Sequence, residues 1–134
     1  MHKYNLAIVE NDEDERMFMR QAFEQSGLFN IVGEFNAGDT LLEWLVNAPR
    51  QQPDVILSDL NMPGKNGYDI LMTVKGDPGL ARIPVFVTST SNLATFREKC
   101  LHLGATDYLV KPELFIDYEV YASDLYQRLN TLPQ

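Results

Sequence analysis

Apolar residues in this chain gather into short runs, and between the runs they recur at helical spacing. Short apolar runs bounded by turn residues read as buried strands, whereas a 3.6-residue recurrence marks a helix face. Leu6-Ala7-Ile8-Val9 reads as a first strand, and the acidic stretch Glu10 to Glu15 leads into a helix. Phe18, Ala22 and Gln25, with Met19 and Phe23 beside them, form the stripe of that helix, and Gly27 stops it. Ile31 to Phe35 is a second strand. Asp39 is placed to cap a second helix carrying Leu41, Leu42, Leu45 and Val46, and Pro49 and Pro53 bracket the following loop. Val55-Ile56-Leu57-Ser58 is a third strand, apolar up to its last residue, as expected when helices cover both faces. Tyr68 to Lys75 supplies a third helix, ended by Gly76-Asp77-Pro78-Gly79, and Pro84 introduces a fourth strand, Val85 to Thr88. Leu93, Phe96, Cys100 and Leu103 mark a fourth helix closed by Gly104, followed by a short fifth strand, Asp107 to Val110. The last helix, about Phe115 to Leu129, carries Tyr118, Ala122, Leu125 and Leu129 along one side. Tyr118, Tyr121 and Tyr126 wrap around it, so part of that aromatic set should stay exposed. Trp44, Met17, Met19, Met62 and Met72 read as core or loop anchors.

Strict alternation of strand and helix implies an α/β fold with a parallel sheet, helices on both faces and right-handed crossovers. Five strands at this size favour the flavodoxin-like, doubly wound order 2-1-3-4-5. In that order strands one and three are neighbours, which brings Glu10 and Asn11 beside Asp59. Nothing repeats internally, and positions 1–134 read as one domain with no output domain. With 134 residues, 45% hydrophobic and 22% charged, the chain is long and apolar enough to bury a core. No stretch is long enough to span a bilayer, and the start does not have the form of a signal peptide. A single cysteine, Cys100, forbids an internal disulfide and makes the cytoplasm the expected compartment; on its apolar helix side it reads as an inert small hydrophobe. Eleven Lys and Arg against 19 Asp and Glu give a net charge of -8, which argues against direct nucleic-acid contact. A metal cation or a partly basic protein partner suits that surface better.

The chemistry gathers where strands end. Asp59 closes the third run and opens the turn Asn61-Met62-Pro63-Gly64-Lys65-Asn66-Gly67, at the carboxyl edge where open α/β sheets bind ligands. Glu10 and Asn11 follow the first strand, Ser89 the fourth, and Lys111-Pro112 the fifth. His2 and His102 show no ligand spacing. In this order and at these strand ends, Glu10-Asn11, Asp59-Leu60-Asn61-Met62-Pro63 with Gly67, Ser89, Tyr108 and Lys111-Pro112 resemble the receiver domains of two-component response regulators, the single-domain CheY-like proteins among them. The resemblance covers nearly the whole chain.

That resemblance implies that Asp59 accepts a phosphoryl group from a sensor histidine kinase or a histidine phosphotransfer protein. A carboxylate is a competent nucleophile toward phosphorus, and the transfer is governed by positioning and charge neutralisation. The implied cofactor is Mg²⁺, with Glu10, Asn11 and Asp59 at the metal and the backbone carbonyl of Asn61 as a further contact. Lys111 and Ser89 would contact the phosphoryl oxygens. Ser89 and Tyr108 form the implied switch, in which Tyr108 moves from an outward to an inward rotamer. The face of helix four, strand five and helix five would then meet an output protein or a second copy of the chain.

Two positions depart from the family pattern. Asn11 stands where a second acid is usual and brings no charge, so metal affinity should be lower, and Asp12 is the candidate compensating acid. Thr90 is β-branched where a smaller residue is more common, which narrows access to an acyl phosphate. Asn11 also motivates an alternative, a receiver that binds its partner constitutively without phosphate. A haloacid-dehalogenase-type phosphatase fits less well, because Asn61 cannot protonate a leaving group. A flavodoxin fits less well still, because Glu10 to Glu15 would repel a phosphate.

Overall fold

The computed structural model describes residues 2–48 and 50–133; Pro49, expected in the loop after the second helix, lies outside them. Five strands, β1 (Tyr4–Val9), β2 (Phe29–Phe35), β3 (Val55–Asp59), β4 (Val85–Ser89) and β5 (Asp107–Val110), alternate with α1 (Glu13–Ser26), α2 (Gly38–Asn47), α3 (Gly67–Gly76), α4 (Ala94–His102) and α5 (Tyr118–Asn130). The sheet is parallel throughout, in the order β2-β1-β3-β4-β5. This is the flavodoxin-like arrangement expected from the alternation.

Successive strand side chains point to opposite faces of a sheet, and here that alternation sorts the core into two halves. Ala7, Val9, Ile56, Val85 and Val87 pack with Leu41, Leu45, Ile70 and Val74 of α2 and α3. Leu6, Ile8, Val55, Leu57 and Phe86 pack on the other side with Phe23 of α1 and Ala122 and Leu125 of α5. Pairing of Val9 with Ser58, Asp59 with Thr88 and Ser89 with Val110 aligns the carboxyl ends of four strands along one edge.

Local chemistry sets the element ends. Asp12 caps α1, its Oδ1 accepting the Glu15 N–H at 2.9 Å, and Gly27 ends that helix in the left-handed region at φ 72°. Asn66 and Asp69 form a reciprocal capping box at the start of α3.

Several expected details differ. The fully buried stripe of α1 is Met19, Ala22 and Phe23, with Phe18 partly buried against the same cluster; Gln25, a polar side chain near the end of the helix, is exposed. Asp39 lies inside the first turn of α2, and the N-cap is Ala37, which has no capping side chain. Val46 and Met72 face solvent on helices that already bury one complete side. The last helix begins only at Tyr118, after a single 3-10 turn, Phe115–Asp117. Tyr118 and Tyr121 are buried against each other in an edge-to-face pair, with rings 5.6 Å apart, and Tyr126 is half-buried. The exposed apolar side chains around the start of α5 are instead Val110, Leu114, Ile116 and Val120.

Candidate functional site

The aligned strand ends deliver their polar side chains to one place. Asp59, last in β3, is 5% exposed, and Glu10, which follows β1, is fully buried. Lys111 follows β5, where its backbone N–H donates to the Ser89 carbonyl at 2.8 Å. From there its ammonium donates to Glu10 Oε1 at 2.6 Å and Glu15 Oε2 at 3.0 Å, and it lies 3.2 Å from Asp59 Oδ1. Three carboxylates therefore surround one cation.

Burial works against the charge of Lys111, but the hydrogen bond and field of Glu10, the field of Asp59 and the Glu15 hydrogen bond outweigh it, and its pKa is raised. Glu10 is shifted in the same direction. Desolvation raises its carboxyl, the hydrogen bond with Lys111 lowers it, and the nearby Asp59 charge raises it again. Glu10 is anchored from two further directions: its Oε2 accepts the Asp12 N–H at 3.2 Å, and its carbonyl accepts from Arg16 Nη1 at 2.8 Å. Tyr118 borders the cluster, its phenol pushed up to about 12 by burial and then by the charge of Glu15.

The other expected residues sit around this centre in different states. Ser89 is buried, and its Oγ accepts the Ser91 N–H at 3.2 Å and, at 3.5 Å, the side-chain amide of Asn61. Asn11 and Asn61 are exposed at the rim. Asp12, the candidate compensating acid, caps α1 through Oδ1, which accepts the Glu15 N–H. Tyr108 lies inward rather than outward: it is 3% exposed, and its hydroxyl donates to the Ser91 carbonyl at 2.7 Å. A buried phenol needs an acceptor, and the loop after β4 supplies one. Thr90, at the same loop, is exposed.

The sequence places Glu15 only in the acidic stretch that leads into α1, and its contact with Lys111 is not among the expected ones. Helical side chains lean toward the N-terminus, so an acid in the first turn of a helix that starts at this edge points back into the mouth. That lean was the available signal.

A Mg²⁺ ion takes hard oxygen ligands, keeps several waters and needs only one or two carboxylates. The Glu10 and Asp59 carboxylates with the Asn61 carbonyl and the Asn11 amide fit that donor class. Among the described residues no group of three or more His, Cys, Asp or Glu side chains is arranged to hold a metal ion. The cluster as it stands offers a carboxylate, a fixed cation beside it and a hydroxyl at the end of the neighbouring strand, which suits transfer of an anionic group.

The chain is similar to known proteins in sequence and in fold. The sequence profile described as response regulator receiver domain matches residues 6–117. Two-component response regulator ORR12 of Oryza sativa subsp. japonica is 45% identical over 64 residues, 48% of this chain and 53% of that protein. ORR11 of Oryza sativa subsp. indica is 39% identical over 88 residues, covering 66% of this chain and 58% of that protein. The chain thus spans about half the length of the curated relatives it matches. The phosphorylated cyanobacterial phytochrome response regulator RcpA superposes with a TM-score of 0.86 at 28% identity, covering 99% of this chain and 98% of that one. The Mn(2+)-bound form of response regulator Rcp1 gives a TM-score of 0.78 at 26% identity over 97% of each chain.

Proposed function

This chain belongs to the response regulator receiver domain family, and from that premise we propose that Asp59 is its phosphoacceptor. Receiver domains are signalling modules that interact with histidine kinases or histidine phosphotransfer proteins, and such a protein is the proposed donor. An oxygen of the Asp59 carboxylate attacks the phosphorus of a phosphohistidine. A P–O bond forms, the P–N bond breaks, and the electron pair leaves with the imidazole nitrogen. Lys111 stands beside the attacking oxygen and neutralises charge on the transferred group, while the Ser89 hydroxyl turns to donate to a phosphoryl oxygen. A bound Mg²⁺ would supply further charge neutralisation, held by Glu10 and Asp59 with Asn61 and Asn11 at the rim. Asn11 adds no charge there, so binding should be weak.

The observation that carries this reading is the 3.2 Å separation between Lys111 Nζ and Asp59 Oδ1 in a buried setting. RcpA, 28% identical and named as phosphorylated, supports it. Incubation with acetyl phosphate and Mg²⁺ should add one phosphoryl mass to the intact protein, and Asp59→Asn should abolish the gain. A folded parent protein that stays unmodified would overturn the assignment.

One observation favours a second reading. Tyr108 already holds the inward position, which is what a constitutive, phosphate-independent binding module would require. In that case Asp59→Ala would bind the output partner as tightly as the parent. In either reading the proposed output surface is the face of α4, β5 and α5, toward another protein or a second copy. The proposed location is the cytoplasm; no helix among the described residues is long and apolar enough to cross a membrane.

A further inference from the structure

The lysine of this site has more carboxylate partners than its proposed task needs, and one of them differs from the rest. An ammonium carries three N–H groups. Lys111 gives one to Glu10 and one to Glu15, and Asp59 lies at ion-pair distance. A phosphoryl group on Asp59 brings several oxygens that need such donors; the N–H that faces Asp59 can serve one of them, and a second is served only if a present contact yields.

Glu10 is held too firmly to yield. Its side chain is 1% exposed and its second oxygen is bonded to the Asp12 backbone, so it has no route to water, and without a metal ion beside it the loss of Lys111 would strand a buried charge. Asp59 is the group being modified. Glu15 is different, because its side chain is 32% exposed on the first turn of α1, and a small rotation delivers its carboxylate to water.

Taking Asp59 as the phosphoacceptor, we propose that Glu15 is a positioning residue that parks Lys111 on the α1 side and competes with the phosphoryl group for its ammonium. Release of Glu15 into solvent frees an N–H for a phosphoryl oxygen. The strength of the Glu15 contact therefore sets how readily the phosphorylated state forms and persists.

The experiment compares the parent, Glu15→Gln and Glu13→Gln. Glu13 lies in the same helical turn, is exposed, and carries the same charge, so its variant reports any general effect of removing an acid. Acetyl phosphate labelling rate and affinity for beryllofluoride, a phosphoryl mimic, are measured in Mg²⁺ buffer, with thermal melting as a control on folding. A partly exposed ion pair is weak, so Glu15→Gln should raise beryllofluoride affinity and labelling rate by about two- to fivefold. Glu13→Gln should match the parent. Equal gains in both variants would show a field effect and overturn the proposal, as would no gain, or a loss, in Glu15→Gln. A parent that takes up neither probe would sink the phosphoacceptor reading and this proposal together, whereas a labelled parent with an unchanged Glu15→Gln would sink this proposal alone.

Discussion

Lys111 is the residue whose removal the site tolerates least. Its side chain is 4% exposed, and it separates two carboxylates that are almost equally hidden. Removing one partner from a buried ion pair typically costs about 3–5 kcal/mol, because a charge is left without compensation. Lys111→Met is therefore expected to lose about that much stability at neutral pH, measured by urea unfolding. Acid should narrow the gap between variant and parent. The Glu10 carboxyl is raised by burial from its ordinary 4.5, so in the fold it takes a proton more readily than in the unfolded chain. The protonation term for such a group favours folding below the unfolded value and is lost as pH rises through the folded value. Without the lysine that carboxyl rises further, so the penalty should shrink as pH falls toward 4.5. A penalty that stays constant over that range would show that Glu10 is not the group left exposed to desolvation. Asp59, Glu10, Ser89 and Lys111 were legible in the sequence because each lies at the end of an apolar run, and strand ends in this fold share an edge. Glu15 and the inward rotamer of Tyr108 were not, because they depend on where Asp12 sets the first helical turn and on which carbonyl the loop after β4 presents.

At the scale of elements, a polar contact crosses the core between α5 and the strand that leads to Ser89. The Tyr121 hydroxyl donates to Thr88 Oγ1, and Thr88 Oγ1 in turn donates to the Leu109 carbonyl at 2.9 Å. Both side chains are buried, so the chain of hydrogen bonds joins α5, β4 and β5 away from water. Thr88→Val would keep the shape but strand the phenol, and a buried hydroxyl without a partner costs about 1–3 kcal/mol. Adding Tyr121→Phe should recover much of that loss, as the coupling term in a double-mutant cycle followed by thermal unfolding. Additive losses would show that the two hydroxyls do not act as a unit. The same scale shows where periodicity misleads. Leu93, Phe96, Cys100 and Leu103 repeat as a helix face should, yet among the described residues of α4 only Cys100 is buried. β5 is a four-residue edge strand, so there is little sheet for α4 to cover: Phe96 and Leu103 pack against the core only in part, and Leu93 is exposed. By contrast α3 reads correctly, since its capping box fixes the start and Gly67 lets its backbone approach the Asp59 carbonyl, which a Cβ there would meet at 2.9 Å.

Over the whole molecule, topology was readable because alternating strand and helix leave few ways to cover a parallel sheet, whereas the contacts across the α4, β5 and α5 face were not, because they depend on charges far apart in sequence. Asp107 at the start of β5 is paired with Arg97 of α4 at 3.0 Å and with Arg128 of α5, and Arg128 also bonds Asp124 at 3.0 Å. Arg97 further donates to the Tyr108 carbonyl at 3.2 Å. One aspartate thus clasps two helices around the strand that carries Tyr108. The arginines are more than a third exposed, and pairs of that kind contribute only about 0–1 kcal/mol each. Asp107→Asn should therefore lower global stability slightly. Its larger effect should be local, because α4 fully buries only Cys100: amide exchange in α4 and in the last turn of α5 should quicken while that of β1 and β3 stays slow. Salt provides the internal check. At about 1 M the screening length falls to about 3 Å, so the parent's α4 should approach the exchange rate of the variant, and the variant should change little. If α4 exchanges at one rate in both proteins at low salt, the charges do not hold it and the packing of Phe96, Cys100 and Leu103 must.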